Sequence, residues 1–113
     1  MGKKTKADRR EVERFKIQIW AEEKRNNSVY YHLLTNLSKH GLFIEKKLPF
    51  PVGSTIKLEI KLPDSEEKIL IKGVIIGNYR DPSSNNMGAG LEFVDMDQDV
   101  IEKIVKFLEK YKL

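Results

Sequence analysis

"STIKLEIKLPDSEEKILIKGVIIGNYR", residues 54–80, decides the fold. Ile56, Leu58, Ile60 and Leu62 alternate with Lys57, Glu59 and Lys61, and a period of two sends one set to each face of a strand. "PDSEE" is polar and turn-prone, so it reverses the chain. A long second strand follows over 68–79; its apolar residues occupy both parities near Ile75, and Gly73 reads as a bulge or bend. A lone pair of strands is marginal in water, so other elements must cover its apolar face.

They are found on both sides. Upstream, "LPFPVGS" (48–54) breaks the chain with two prolines and a glycine, and "LFIEKK" (42–47) is a short strand before it. "SVYYHLL" (28–34) is rich in β-branched and aromatic residues, and "NN" at 26–27 turns it back on a run in which Phe15, Ile17, Ile19 and Ala21 alternate with Lys16, Gln18 and Trp20. These two runs read as a hairpin. Downstream, "RDPSSNNMG" (80–88) is an exposed polar loop and "AGLEFV" (89–94) a closing strand. The period then changes: Val100, Ile101, Ile104, Val105, Leu108 and Tyr111 recur at three and four residues, the stripe of an amphipathic helix. Asp95 or Asp97 caps it, while Asp99 near its start and Lys110 and Lys112 near its end suit the helix dipole. Six short strands and one helix predict an all-β-dominated domain, an antiparallel barrel or strongly curled sheet with the helix against an opening.

A chain of 113 residues fits one domain and one core. The expected division is a basic arm over residues 1–14 and the barrel plus helix over 15–113. No apolar run approaches the roughly 20 residues that span a bilayer, and "MGKKTK" carries no secretory segment. The expectation is a soluble, cytoplasmic protein with no membrane insertion. Cysteine is absent, which excludes disulfides and thiolate metal sites and suits a reducing compartment.

Catalysis finds little support. His32 falls on a strand and His40 in a turn, without metal-ligand spacing, and Asp64, Glu66 and Glu67 gather in a solvated turn. No G-x-S-x-G, Walker loop or H-E-x-x-H occurs, and the glycines of "GNYR" and "GAG" open no helix, so Gly88 and Gly90 serve a turn or a close strand approach. The expectation is no enzyme and no cofactor.

The charge is informative once located. Residues 1–10 carry Lys3, Lys4, Lys6, Arg9 and Arg10 against Asp8 alone, a balance equal to the +4 of the whole chain. A basic arm on a neutral body is a footprint for an anion, or else a solvated tail. In "ADRREVERFK" (7–16), Arg10 and Arg14 are four apart and share a side whether the arm is helical or extended. If extended, their Cα atoms stand roughly 13 Å apart, and their planar forks can bond phosphate, pair with guanine O6 and N7, or stack on a base. Arg9 would serve a second ligand molecule or a backbone phosphate. Alternatively, Glu11 and Glu13 neutralise the arginines in a surface helix turn. The second element is "NLSKHG" (36–41): Asn36 and Ser38, two apart, face one way in an extended segment, and Gly41 allows a turn or a close approach. The same residues also make an ordinary turn.

Together, R-x-x-x-R before the first strand, N-x-S-x-x-G after the second, "GxGLEF" in the closing strand and a final helix resemble the PilZ domain family, from about Arg9 to the end of the chain. The resemblance implies a six-stranded antiparallel split barrel with a C-terminal helix and a flexible basic arm. It also implies binding of the bacterial second messenger cyclic di-GMP by Arg9, Arg10, Arg14, Asn36, Ser38 and Gly41. Asn36 stands where Asp is more frequent, and the extra Arg9 matches members that take an intercalated ligand pair. Such a domain would act as a receptor that alters contact with a partner protein. Two rivals stand beside it: a PilZ-like adaptor without nucleotide, and, less favoured, a basic barrel binding nucleic acid, which the lack of aromatics on the arm weakens.

Overall fold

A computed structural model describes residues 15–63, 65–81 and 84–112. The strands are β1 (Phe15–Arg25), β2 (Ser28–Leu37), β3 (Gly41–Glu45), β4 (Thr55–Lys61), β5 (Lys68–Arg80) and β6 (Met87–Phe93), followed by helix α1 (Gln98–Lys112). They close into an antiparallel barrel in the order β1-β2-β3-β6-β5-β4, so of the two sheet forms open to the sequence the closed one is adopted. Closure leaves no free edge for another chain to extend.

The pattern of 54–80 is realised directly. β4 and β5 pair from Thr55↔Val74 to Lys61↔Lys68, with Ile56, Leu58, Ile60, Ile69, Ile71 and Ile75 buried. The bend in β5 falls elsewhere than the glycine suggested. Gly73 pairs regularly with Ile56 and Phe93, and the register shifts between Ile75, opposite Leu91, and Gly77, opposite Gly90. The extra residue is Ile76, which explains the apolar side chains on both parities: Ile75 is fully buried and Ile76 is 54% exposed.

The β1–β2 hairpin closes at Arg25↔Ser28, with Asn26 at φ 57°, a region asparagine tolerates. Ile17, Ile19 and Ala21 point into the core, and the inward parity continues to Glu23. This buried carboxylate receives His32 Nε2 at 2.9 Å, and the ring of His32 meets Phe50 edge-on at 5.6 Å. His32 is thus a structural partner of Glu23, and each would be costly to bury without the other. The barrel closes where β1 meets β4, at Glu22↔Glu59. Opposed carboxylates repel; Lys24 at 3.5 Å from Glu59 and Lys68 at 4.0 Å from Glu22 offset that repulsion across the seam.

Helix α1 lays Ile104, Phe107 and Leu108 into the same core, with Val100 packed against it. Asp97 is the capping position, since its carbonyl accepts from the amides of Val100 and Ile101 at 3.1 Å. Lys103 Nζ to Glu67 Oε2, 2.6 Å, ties the helix to the β4–β5 turn. No helix among the described residues is long and apolar enough to cross a membrane.

Candidate functional site

With Leu42, Ile44, Ala89 and Leu91 facing the core, the intervening residues of β3 and β6 face outward. There Phe43 lies under Tyr79 of β5, ring centroids 5.3 Å apart. Tyr79 reaches that place because Gly90 has no side chain: a Cβ at position 90 would stand 2.4 Å from the Tyr79 hydroxyl. The Ile76 bulge turns its own side chain to the same side. The result is a hollow of about 120 Å³ with Phe43, Ile76 and Tyr79 in its wall and the β2–β3 turn at its rim. Asn36, Ser38, His40 and Gly41 supply the rim, with Glu92 of β6 beside Gly41, its partner in the ladder.

The turn is rigidly built. Ser38 N donates to Gly41 O at 2.9 Å, and the Ser38 hydroxyl accepts from the amides of His40 (3.1 Å) and Gly41 (3.2 Å) while lying 3.2 Å from Gly41 O. Ser38 is buried, so its hydroxyl first shapes the turn that presents its neighbours. Gly41 admits the backbone of β6: a Cβ there would lie 2.1 Å from Leu91 O. Asn36 stands beside a one-residue register shift in β2, between Leu34 and Asn36. Its Nδ2 donates to the buried Asp81 carboxylate at 3.2 Å.

Asp81 belongs to the β5–β6 loop, which closes on itself through Asp81 N to Asn86 O (2.9 Å) and Asn85 N to Asp81 O (2.7 Å). Ser84 Oγ also donates to Asp81 Oδ2, at 3.3 Å. The loop read from sequence only as exposed and polar therefore sends a buried carboxylate behind the rim. Asn36, Ser38 and Gly41 come together at one hollow; Arg9, Arg10 and Arg14, with the rest of the 1–14 arm, lie outside the described residues. Among the described residues, no group of three or more His, Asp or Glu side chains is placed to hold a metal.

The PilZ domain model matches residues 8–110, nearly the whole chain. The chain belongs to the PilZ domain family. PilZ domains are non-catalytic receptor and adaptor modules that bind cyclic di-GMP. Solved structures show the same fold. The inhibitor of motility MotI/DgrA of Bacillus subtilis matches at a TM-score of 0.73 and 19% identity, over 89% of this chain and 50% of that one. The PilZ domain of YcgR from Escherichia coli, with c-di-GMP, matches at 0.68 and 14%, over 90% of each chain. The MrkH–c-di-GMP complex of K. pneumonia matches at 0.72 and 16%, over 88% of this chain and 51% of that one. This PilZ chain thus spans about half the length of the first and third of these proteins. No curated protein sequence matches it.

Proposed function

We propose that this PilZ domain binds cyclic di-GMP between the Arg9, Arg10 and Arg14 arm and the Asn36–Gly41 turn, and that the rearranged arm alters contact with a partner protein. The observation that carries the reading is the hollow itself, where motif residues of β2 and β3 meet an aromatic floor on the outside of the barrel. Chain connectivity supports the arm's share. β1 begins at Phe15, which pairs with Leu37, and Lys16 pairs with Asn36. Arg14 is therefore one residue from the strand beside the turn, and Arg10, five residues from Phe15, reaches at most about 17 Å from it.

Energetics set the expected strength. Ordering five arm residues costs about 5–10 kcal/mol of backbone entropy, and each charge-assisted hydrogen bond returns about 1.5–3 kcal/mol. Three or four such bonds only break even, so arginine–guanine stacking and contact with the floor supply the surplus. Micromolar affinity, about −8 kcal/mol, follows. An intracellular messenger places the work in the cytoplasm.

Calorimetric titration of the purified chain with cyclic di-GMP at two salt concentrations tests the reading. A ligand with two phosphates is expected to show a shallow dependence, losing roughly tenfold or less between 50 and 200 mM salt. No heat at either salt would leave the adaptor reading. Binding of single-stranded nucleic acid with a steep salt slope would leave the nucleic-acid reading.

A separate surface supports the partner. On the outside of β1, β2, β4 and β5, the row Tyr31–Glu22–Glu59–Leu70 follows from the strand registers, and Trp20 is two residues from Glu22. Trp20 and Tyr31 are each 63% exposed and Leu70 55%, and Lys24, Lys57, Lys61, Lys68 and Lys72 alternate outward among them. Four of these lysines are ion-paired, with Glu59, Glu66, Glu22 and Asp95, so the face is nearly balanced in charge and its exposed Trp20, Tyr31 and Leu70 suit a partner that presents apolar side chains. Because this face is distinct from the hollow, Trp20→Ala is expected to leave messenger affinity within about twofold, as it removes only an exposed side chain. A larger loss by calorimetry would show that the two surfaces are one.

A further inference from the structure

We infer that Asp81 is a positioning residue that sets which edge of the Asn36 amide faces the ligand, and that asparagine rather than aspartate at position 36 is required in this chain because Asp81 stands behind it. The inference rests on the cyclic di-GMP reading above for its ligand and on the Asn36–Asp81 pair for its geometry.

An ionised carboxylate only accepts hydrogen bonds. The 3.2 Å contact with Asp81 Oδ2 therefore obliges Asn36 to turn its Nδ2 toward the loop, leaving Oδ1 as the edge offered to a ligand. Asp81 is 4% exposed and Ser84 Oγ donates to the same oxygen, so the carboxylate is held in place and cannot easily follow an amide that flips. Asp81 does not line the hollow, whereas Asn36 does; its influence passes through Asn36. An outward carbonyl oxygen selects a base that presents donors. Guanine has N1–H and the exocyclic amine on its Watson–Crick edge. Adenine has an acceptor at N1 and a donor only at its exocyclic amine. The orientation imposed by Asp81 thus favours guanine.

The same geometry makes the more frequent aspartate unsuitable here. Asn36→Asp would set two carboxylates at the 3.2 Å now bridged by a donor, and neighbouring like charges disfavour one another's ionisation. Their repulsion favours protonation of one or a swing apart, and either response disturbs the acceptor edge. The inference predicts a reciprocal rescue: exchanging the two residue types, in Asn36→Asp/Asp81→Asn, restores one donor facing one carboxylate.

The test compares the wild-type chain with N36D, D81N, D81L and N36D/D81N, by calorimetry with cyclic di-GMP and cyclic di-AMP and by thermal melting without ligand. N36D is expected to bind cyclic di-GMP roughly 10- to 100-fold more weakly, the range of one lost charge-assisted hydrogen bond, and to melt lower. The double variant is expected to recover most of both. D81N can offer Asn36 either an acceptor or a donor, so the amide orientation is no longer obliged, and D81N is expected to bind cyclic di-GMP more weakly than wild type and to lose part of the preference over cyclic di-AMP. D81L removes the acceptor and is expected to narrow the preference for the guanine over the adenine dinucleotide, a ratio that mere loosening of the loop would not move. If the wild type binds and N36D equals it, or if D81N fails to rescue N36D, the inference is overturned. If the wild type binds neither dinucleotide, the messenger reading and the base selection built on it fall together. The melting comparison then still decides the pairing: N36D lower and the double variant restored supports it, and no difference overturns it.

Discussion

Replacing Arg10 or Arg14 with alanine is expected to weaken cyclic di-GMP binding about 100-fold or more, equivalent to about 2.7 kcal/mol, with the melting temperature unchanged. Each guanidinium is assigned a charge-assisted hydrogen bond of about 1.5–3 kcal/mol and a stacking contribution of about 0.5–2 kcal/mol on a base face. Losing either arginine leaves the ordering cost of the arm in place, so the deficit falls entirely on affinity. The fold should survive because, among the described residues, the first buried core side chains, Ile17 and Ile19, lie after both arginines in the chain. Arg10→Lys should lie between the two, since it keeps the charge and loses the fork. Calorimetry beside a melting curve separates the cases, and unchanged affinity in both alanine variants would refute the assignment of the arm.

Gly41→Ala carries the largest expected cost to stability, about 3 kcal/mol or more, at the top of the range for overpacking. The three atoms nearest to its Cβ would be backbone: Leu91 O at 2.1 Å, Leu91 C at 3.2 Å and the Cα of Glu92 at 3.3 Å. A carbonyl in a strand ladder cannot rotate away as a flexible side chain can. β3 and β6 would have to separate where Gly41 pairs with Glu92, and the bond from Phe93 N to His40 O, 2.9 Å, would go with them. Because Ser38 bonds Gly41 at both its carbonyl and its amide, the turn that carries Asn36 would also shift, and messenger binding should fall with stability. Denaturant midpoints check the first effect and calorimetry the second. A midpoint equal to that of the wild type would show that the two strands are not as close as this geometry requires.

Much of the architecture was legible because it rests on local period. Alternation in 54–62 gave β4 its buried Ile56, Leu58 and Ile60, and the three-and-four spacing after residue 98 gave α1 its Ile104 and Leu108. The misplaced bend in β5 has a physical cause. A glycine permits an irregular backbone, but the register was set by the partners: Gly73 is needed small because Leu91 approaches it, with Cδ2 2.9 Å from where a Cβ would stand, and the slack is taken at Ile76. Glu23 was equally hidden, since its partner His32 is nine residues away across the hairpin. Asn36, Ser38 and Gly41 were recognisable as a motif, and Gly90 as a glycine of "GxGLEF" that permits a close approach, while Phe43, Tyr79 and Asp81 carried no signal of a common site.

By itself, the order of residues settled the six strands, the helix, the location of the excess charge on residues 1–10, and a motif that pointed to the PilZ family. Period, charge and short spacing are properties of neighbours along the chain, and they need no folding to be read. Closure of the barrel at Glu22↔Glu59, the floor that Tyr79 makes over Gly90, and the carboxylate of Asp81 behind Asn36 were decided only in three dimensions. Asn36 and Asp81 are 45 positions apart, and the registers of β3, β6 and β5, each set by side chains packed against the others, bring them to a single hydrogen bond.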